Sequence, residues 1–146
     1  MEFRILGPLE VQDGDRKLAL GGTKQRALLG VLLLHANEVV SCDRLIDELW
    51  GAASLRGGSR ALGVAVSRLR KTIEPGRAAG EQSSVLITRP PGYELRVGVG
   101  QLDLYRFDGL VAEGRAALVA GDPAAASKSL RDALALWRGP PLADLV

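Results

Sequence analysis

The chain has 146 residues, 47% of them hydrophobic and 25% charged, with a formal net charge of +2. This is the composition of a folded chain, either one domain or a compact domain joined to part of another, and not of a disordered segment. So small an excess of cations does not by itself identify a polyanionic partner, and the placement of the charges has to decide.

Several function classes are excluded next. The longest uncharged apolar stretch, residues 27–36, is half of what a bilayer-crossing helix needs, so no membrane partner is expected. Met1-Glu2-Phe3-Arg4 has no basic segment leading into an apolar core and does not read as a signal peptide. One cysteine, Cys42, and one histidine, His35, cannot build a structural zinc site or a disulfide framework. His35 follows a leucine run and reads as a helix-end or core residue rather than a general base. Neither a GxxxxGK[ST] loop nor a GxGxxG turn is present. The expectation is a cytoplasmic protein with no catalytic centre, no metal and no cofactor.

Residues 2–20 read as three short antiparallel strands, broken at Gly7-Pro8 and turned at Asp13-Gly14. Thr23 is placed to cap a helix over residues 23–37, apolar nearly all round and therefore expected to be central and largely buried. Ser41 caps a second helix over 42–50, with Leu45, Ile46, Leu49 and Trp50 on one face, ended by Gly51. A small-residue stretch leads to a third helix over 59–74, stopped by Pro75-Gly76. Residues 85–89 and 93–97 form a hairpin around Pro90-Pro91-Gly92, read as a type II turn with Gly92 at positive φ. After a linker at 98–101 the chain becomes alanine-rich. Helices over 103–120 and 123–137 make an αα-hairpin of one repeat unit, the second capped by Asp122 with Pro123 in its first turn. The fold class is therefore α+β followed by an all-α, repeat-type segment. The boundaries are a domain over 1–98 and the start of a second over 99–146.

The third helix carries the informative charge. Between Arg56 and Lys71 stand Arg56, Arg60, Arg68, Arg70 and Lys71, with no acidic residue among them. At 100° per residue, Leu62, Ala65, Val66, Leu69 and Ile73 form an apolar stripe. Arg60, Val64, Ser67, Arg68 and Lys71 fall on the opposite face, and Arg70 falls at the flank. A solvated face with cations near the helix C-terminus is the plain alternative. The missing acids and the basic-tipped hairpin that follows favour nucleic acid, with the helix in the major groove and the hairpin on the adjacent backbone. Arg68 is the expected base reader, since a guanidinium reaches guanine O6 and N7 together. Arg60 can read a base or hold a phosphate, and Val64 can meet a thymine methyl. Arg89 sits at the hairpin tip beside Thr88 and Tyr93, and Tyr93 is equally a strand aromatic packing across the hairpin. Trp50 is first a core residue whose indole N–H can reach a phosphate. Thr23, Lys24 and Arg26 offer a weaker phosphate site at a helix N-terminus.

Val66-Ser67-Arg68-Leu69-Arg70-Lys71 and Pro91-Gly92-Tyr93 resemble the OmpR-type winged-helix DNA-binding domain. Phe3-Arg4-Ile5-Leu6-Gly7-Pro8-Leu9, Lys24-Gln25-Arg26-Ala27-Leu28-Leu29 and Leu49-Trp50-Gly51 resemble one branch of it, the Streptomyces antibiotic regulatory protein (SARP) family of transcription activators. Asp103-Leu104-Tyr105-Arg106-Phe107 and Trp137-Arg138-Gly139 resemble the opening of that family's helical bacterial transcriptional activator domain. Ala65 departs from the pattern, because many relatives carry tyrosine or histidine there.

The resemblance implies a transcription activator of a secondary-metabolite cluster that binds direct repeats in promoter DNA as two or more copies. It implies phosphate contacts from Ser67, Arg70 and Lys71. It also implies that the loop carrying Leu55 and Arg56 meets RNA polymerase, including its sigma factor. The alternatives are a repressor with the same DNA-binding part, or a helical interaction protein in which the basic helix is incidental.

Overall fold

The computed structural model describes residues 1–51, 57–78 and 80–145. The chain divides into two compact units, one made of residues 18–97 and the other of 1–17 with 98–144. This division differs from a cut after the hairpin, because the first seventeen residues belong with the helices that follow Gly98.

In the second of these units, β1 (Glu2–Arg4), β2 (Glu10–Asp13) and β3 (Arg16–Lys17) form an antiparallel sheet in the order β1-β2-β3. Helices α4 (Asp103–Val119) and α5 (Pro123–Ala135) form the αα-hairpin. The Asp122 side chain accepts from Ala125 N–H at 3.1 Å, as its place before Pro123 predicts. Sheet and helices are joined through the backbone after β1. Asp103, 3% exposed, takes the Ile5 and Leu6 N–H groups at 2.9 and 3.0 Å. The Phe3 N–H donates to Gln101 O, Arg138 N–H to Leu6 O, and Leu142 N–H to Ile5 O. Backbone groups left buried without partners are costly, and these bonds satisfy them from a hundred residues away. Nothing in the local pattern of residues 1–17 announces such a partner.

In the unit of residues 18–97, α1 (Thr23–Leu34), α2 (Cys42–Trp50) and α3 (Gly58–Ile73) pack against a second sheet. That sheet has the order β4-β6-β5, from β4 (Val39–Ser41), β5 (Leu86–Arg89) and β6 (Gly92–Leu95). The core holds Leu28, Leu29, Leu32, Leu33, Leu45, Leu62, Leu69 and Leu86, each at most 1% exposed. Ser41 caps α2 by accepting from Arg44 N–H at 3.1 Å. Gly58 lets α3 approach α2, since a Cβ there would lie 2.8 Å from Ile46 Cγ2.

Four expectations are corrected. Thr23 is the first helical residue and makes no cap; the N-cap is Gly22, without a side-chain bond. Helix α1 stops at Leu34, which is 54% exposed, and the chain turns through Asn37 at φ 65°. The Asn37 amide then pairs with both backbone groups of Val97, at 3.0 and 2.9 Å, which fixes the turn. Strand β4 was not expected, because three residues carry too little periodicity to read. The hairpin reverses over Pro90-Pro91, whose joining peptide is cis, with Arg89 paired to Gly92. Gly92 is not at positive φ. It is required because a Cβ would meet Val40 O at 1.8 Å where β6 runs against β4.

Candidate nucleic-acid interface

The periodicity of α3 is realised in space. Leu62, Ala65, Val66, Leu69 and Ile73 are buried, while Arg60, Val64, Ser67, Arg68 and Lys71 are exposed. Val64 keeps 45% of its surface, a large apolar exposure amid cations. The guanidiniums of Arg60 and Arg68 and the ammonium of Lys71 have no carboxylate partner among the described residues. Unpaired cations in a row on one helix face make a local positive field that folding does not use.

Arg70 is different. Its Nε donates to Leu86 O at 3.0 Å and its Nη2 to Thr88 Oγ1 at 2.8 Å, with its Cζ 5.8 Å from the centre of the Tyr93 ring. Burial, the largest influence, holds its pKa below the ordinary arginine value; the Arg77 charge pushes the same way, against Tyr93 and Glu74. Arg70 therefore ties the hairpin to α3 and brings Thr88 and Tyr93 beside the basic face. Arg89 at the tip is 48% exposed in its side chain and lies 3.6 Å from Glu94, which Arg96 also approaches at 3.2 Å.

The N-terminus of α1 meets the same face. A groove of about 450 Å³ is lined by Thr23, Lys24, Trp50, Val64, Ala65 and Arg68, among others. Trp50 is half-buried there, and the small side chain of Ala65 forms part of the wall. The Lys24 ammonium donates to Leu49 O, at the C-terminal end of α2, and lies 5.8 Å from the Trp50 ring. It is thus already engaged, and Arg26 is half-buried. Leu55 and Arg56 lie outside the described residues.

Two side chains escaped the sequence reading. Glu74, just past α3, accepts from the hydroxyl of Ser83, from both the N–H and hydroxyl of Ser84, and from Val85 N–H. It anchors the loop between α3 and β5. Arg77 in that loop donates to Glu81 O at 2.6 Å. The pairing of Glu74 with a Ser-Ser nine residues on carries no periodic signal.

Three helices, the last presenting a free basic face, and a hairpin held against it by an arginine define a winged-helix unit of the transcriptional-regulator type. Residues 15–95 match the family described as "Transcriptional regulatory protein, C terminal", and residues 102–146 match the bacterial transcriptional activator domain. The chain belongs to the SARP family of transcriptional regulators. It is 38% identical to the transcriptional regulatory protein MoaR1 of Mycobacterium tuberculosis, over 99% of this chain and 46% of that protein. With the regulatory protein DnrI of Streptomyces peucetius it shares 33% over 99% of this chain and 54% of DnrI. The solved structure of Mycobacterium tuberculosis EmbR superposes with a TM-score of 0.91 and 37% identity, over 99% of this chain and 38% of that one. The chain thus spans about half or less of the length of these relatives. No described helix is long and apolar enough to cross a membrane.

Proposed function

We propose that this chain is a sequence-specific DNA-binding transcription activator that reads promoter DNA with α3 and the β5–β6 wing. The observation that carries the reading is the outward row of Arg60, Val64, Ser67, Arg68 and Lys71, exposed on a helix whose other face is core, its cations without a carboxylate partner among the described residues. Arg68 reads a guanine edge, Arg60 reads or steadies, and Val64 meets a thymine methyl. Ser67, Lys71, Thr88, Arg89 and Tyr93 hold backbone phosphates, and Arg70 positions the wing that carries the last three. Trp50, Thr23, Lys24 and Arg26 flank the site, with Lys24 in a supporting role because Leu49 O already holds it.

In this reading residues 1–98 form the DNA-binding part and 99–146 open the activator domain, although residues 1–17 pack with the latter. The match of 102–146 to a bacterial transcriptional activator domain supports activation over repression. One winged helix spans too few base pairs to specify a genomic site, so two or more copies occupy direct repeats. RNA polymerase with its sigma factor is the partner, met through Leu55 and Arg56, and the place of action is the cytoplasmic nucleoid. A secondary-metabolite cluster is the target that the SARP family implies.

Fluorescence anisotropy of the chain on duplexes selected from a random pool, repeated across a salt series, tests the core of this reading. Tight binding whose logarithm falls steeply and linearly with log salt is expected. Binding that is weak, shallow in salt and equal for every duplex would leave α3 as a solvated face.

A further inference from the structure

Beside the basic face, between the C-terminal half of α3, the wing and the loop after α3, lies a cavity of about 330 Å³. Arg70, Arg77, Gln82, Ser83 and Thr88 line it together with Glu81 and the apolar Ile87. Two guanidinium-bearing residues, Arg70 and Arg77, stand against one carboxylate, Glu81, in that lining. Among the buried side-chain nitrogen and oxygen atoms of the described residues, the Nε of Arg77 is the one without a hydrogen-bond partner. Arg70 uses Nε and Nη2 on the wing and has no partner for Nη1 among the described residues. The Thr88 hydroxyl accepts from Arg70, which leaves its own proton to donate. The Glu81 carboxylate is turned to Ala78 N–H at 2.9 Å, and Arg77 is held in place through Glu81 O.

Two guanidiniums facing one polar cavity repel each other, and burial removes the water that screens them. A buried N–H without an acceptor adds a desolvation cost of its own. A tetrahedral oxyanion offsets the charge repulsion, since it carries charge of the opposite sign and its oxygens accept from guanidinium and hydroxyl donors such as those of Arg70, Arg77 and Thr88. A rotation of the Arg77 side chain brings its Nε into the same set. We propose that this cavity receives one backbone phosphate of the DNA strand running between α3 and the wing, with Arg77 and Gln82 as DNA contacts beyond the recognition helix. The inference rests on the DNA-binding reading above. Thr88, a backbone contact in that reading, is itself part of the cavity lining.

The test uses the whole chain on a selected duplex and on its scrambled counterpart. Arg77→Ala is expected to weaken both several-fold alike and to make the slope of log affinity against log salt shallower by about 1, the release of one counterion. Gln82 is exposed, so Gln82→Glu keeps the fold and is expected to weaken both duplexes through a charge at the cavity mouth. A methylphosphonate scan is expected to find one phosphate whose neutralisation reproduces Arg77→Ala and adds nothing to it.

Wild-type affinity and slope in both variants, on a chain that binds DNA tightly, would overturn the proposal and leave the DNA-binding reading standing. A wild-type chain that binds no DNA overturns both. In a separate arm, inorganic phosphate is titrated against chloride at matched ionic strength while the Arg77 Nε–H resonance is followed. A phosphate shift at Arg77 together with unchanged DNA binding by Arg77→Ala assigns the cavity to free phosphate and overturns the DNA contact.

Discussion

Arg68 and Arg70 stand two residues apart on one helix, yet their guanidiniums have opposite surroundings. Arg68 is exposed with no acceptor for its guanidinium among the described residues, whereas Arg70 is half-buried and donates to Leu86 O and Thr88 Oγ1. Two residues of an α-helix are separated by about 200° around its axis, which is enough to carry one side chain to solvent and the next to the wing. A basic cluster is therefore not one object. Part of it remains free to meet a ligand, and part of it holds the frame that presents the free part.

The largest effect expected from this contrast is that of Arg70→Ala. Val85 accepts from Arg96 N–H, so in the alternating antiparallel register the Leu86 carbonyl faces the open edge of β5. Arg70 supplies that carbonyl with a charged donor at a fully buried residue. Removing the donor is expected to cost about 1.5–3 kcal/mol of stability and to weaken binding to every DNA sequence by loosening the wing. Hydrogen exchange should localise the loss to residues 86–95. Arg70→Lys should not restore it, because one ammonium lacks the fork that reaches both acceptors. Unchanged protection over 86–95 would show that the wing is held by β4 alone.

This contrast also marks how far the sequence could be read. The inward and outward faces of α3 were legible because sixteen residues repeat one period, and every residue assigned to the stripe is buried. The Ser41 and Asp122 caps were legible because each is decided within three residues. The wing turn was misread because Pro-Pro-Gly satisfies the local rule for a type II turn, while the glycine answers a demand from Val40, fifty residues away. The same holds for Asp103, which reads as a helix start and proves to bind the backbone of Ile5 and Leu6. At the site, the free cations were legible from the absence of nearby acids. The engaged ones were not, since Lys24 on Leu49 O and Arg70 on Leu86 O are bonds to backbone, which has no sequence signature.

A smaller effect sharpens the comparison within the free set. Arg68→Ala is expected to cost roughly 1–3 kcal/mol on the selected duplex, to flatten discrimination at one base position, and to leave thermal stability within about 0.5 kcal/mol. Lys71→Ala should instead weaken selected and scrambled duplexes alike, with a salt slope shallower by about 1. Competition binding against single-position duplex variants separates the two. Equal losses for Arg68→Ala on selected and scrambled DNA would make Arg68 a phosphate contact.

The smallest effect concerns the engaged set and is read through pH. Burial disfavours the Glu74 charge, but the hydrogen bonds from Ser83, Ser84 and Val85 outweigh it and hold the carboxyl below the ordinary glutamate value. A group whose pKa is depressed by folding stabilises the fold above its unfolded value, and that stabilisation is lost as pH falls through its folded value. The window accordingly opens near the unfolded glutamate pKa of about 4.3 and extends below it. Glu74 is solvent-accessible enough that screening keeps the effect small. Denaturant unfolding of wild type and Glu74→Gln from pH 7 to pH 3 measures it. The wild type should be the more stable by a constant amount down to about pH 5, and the gap should narrow as the carboxyl takes up its proton. A gap that stays constant to pH 3 would mean that the shape of the Glu74 side chain, not its charge, holds the loop between α3 and the wing. Arg77, which that loop carries into the cavity beside Arg70, would then keep its place under acid conditions as well.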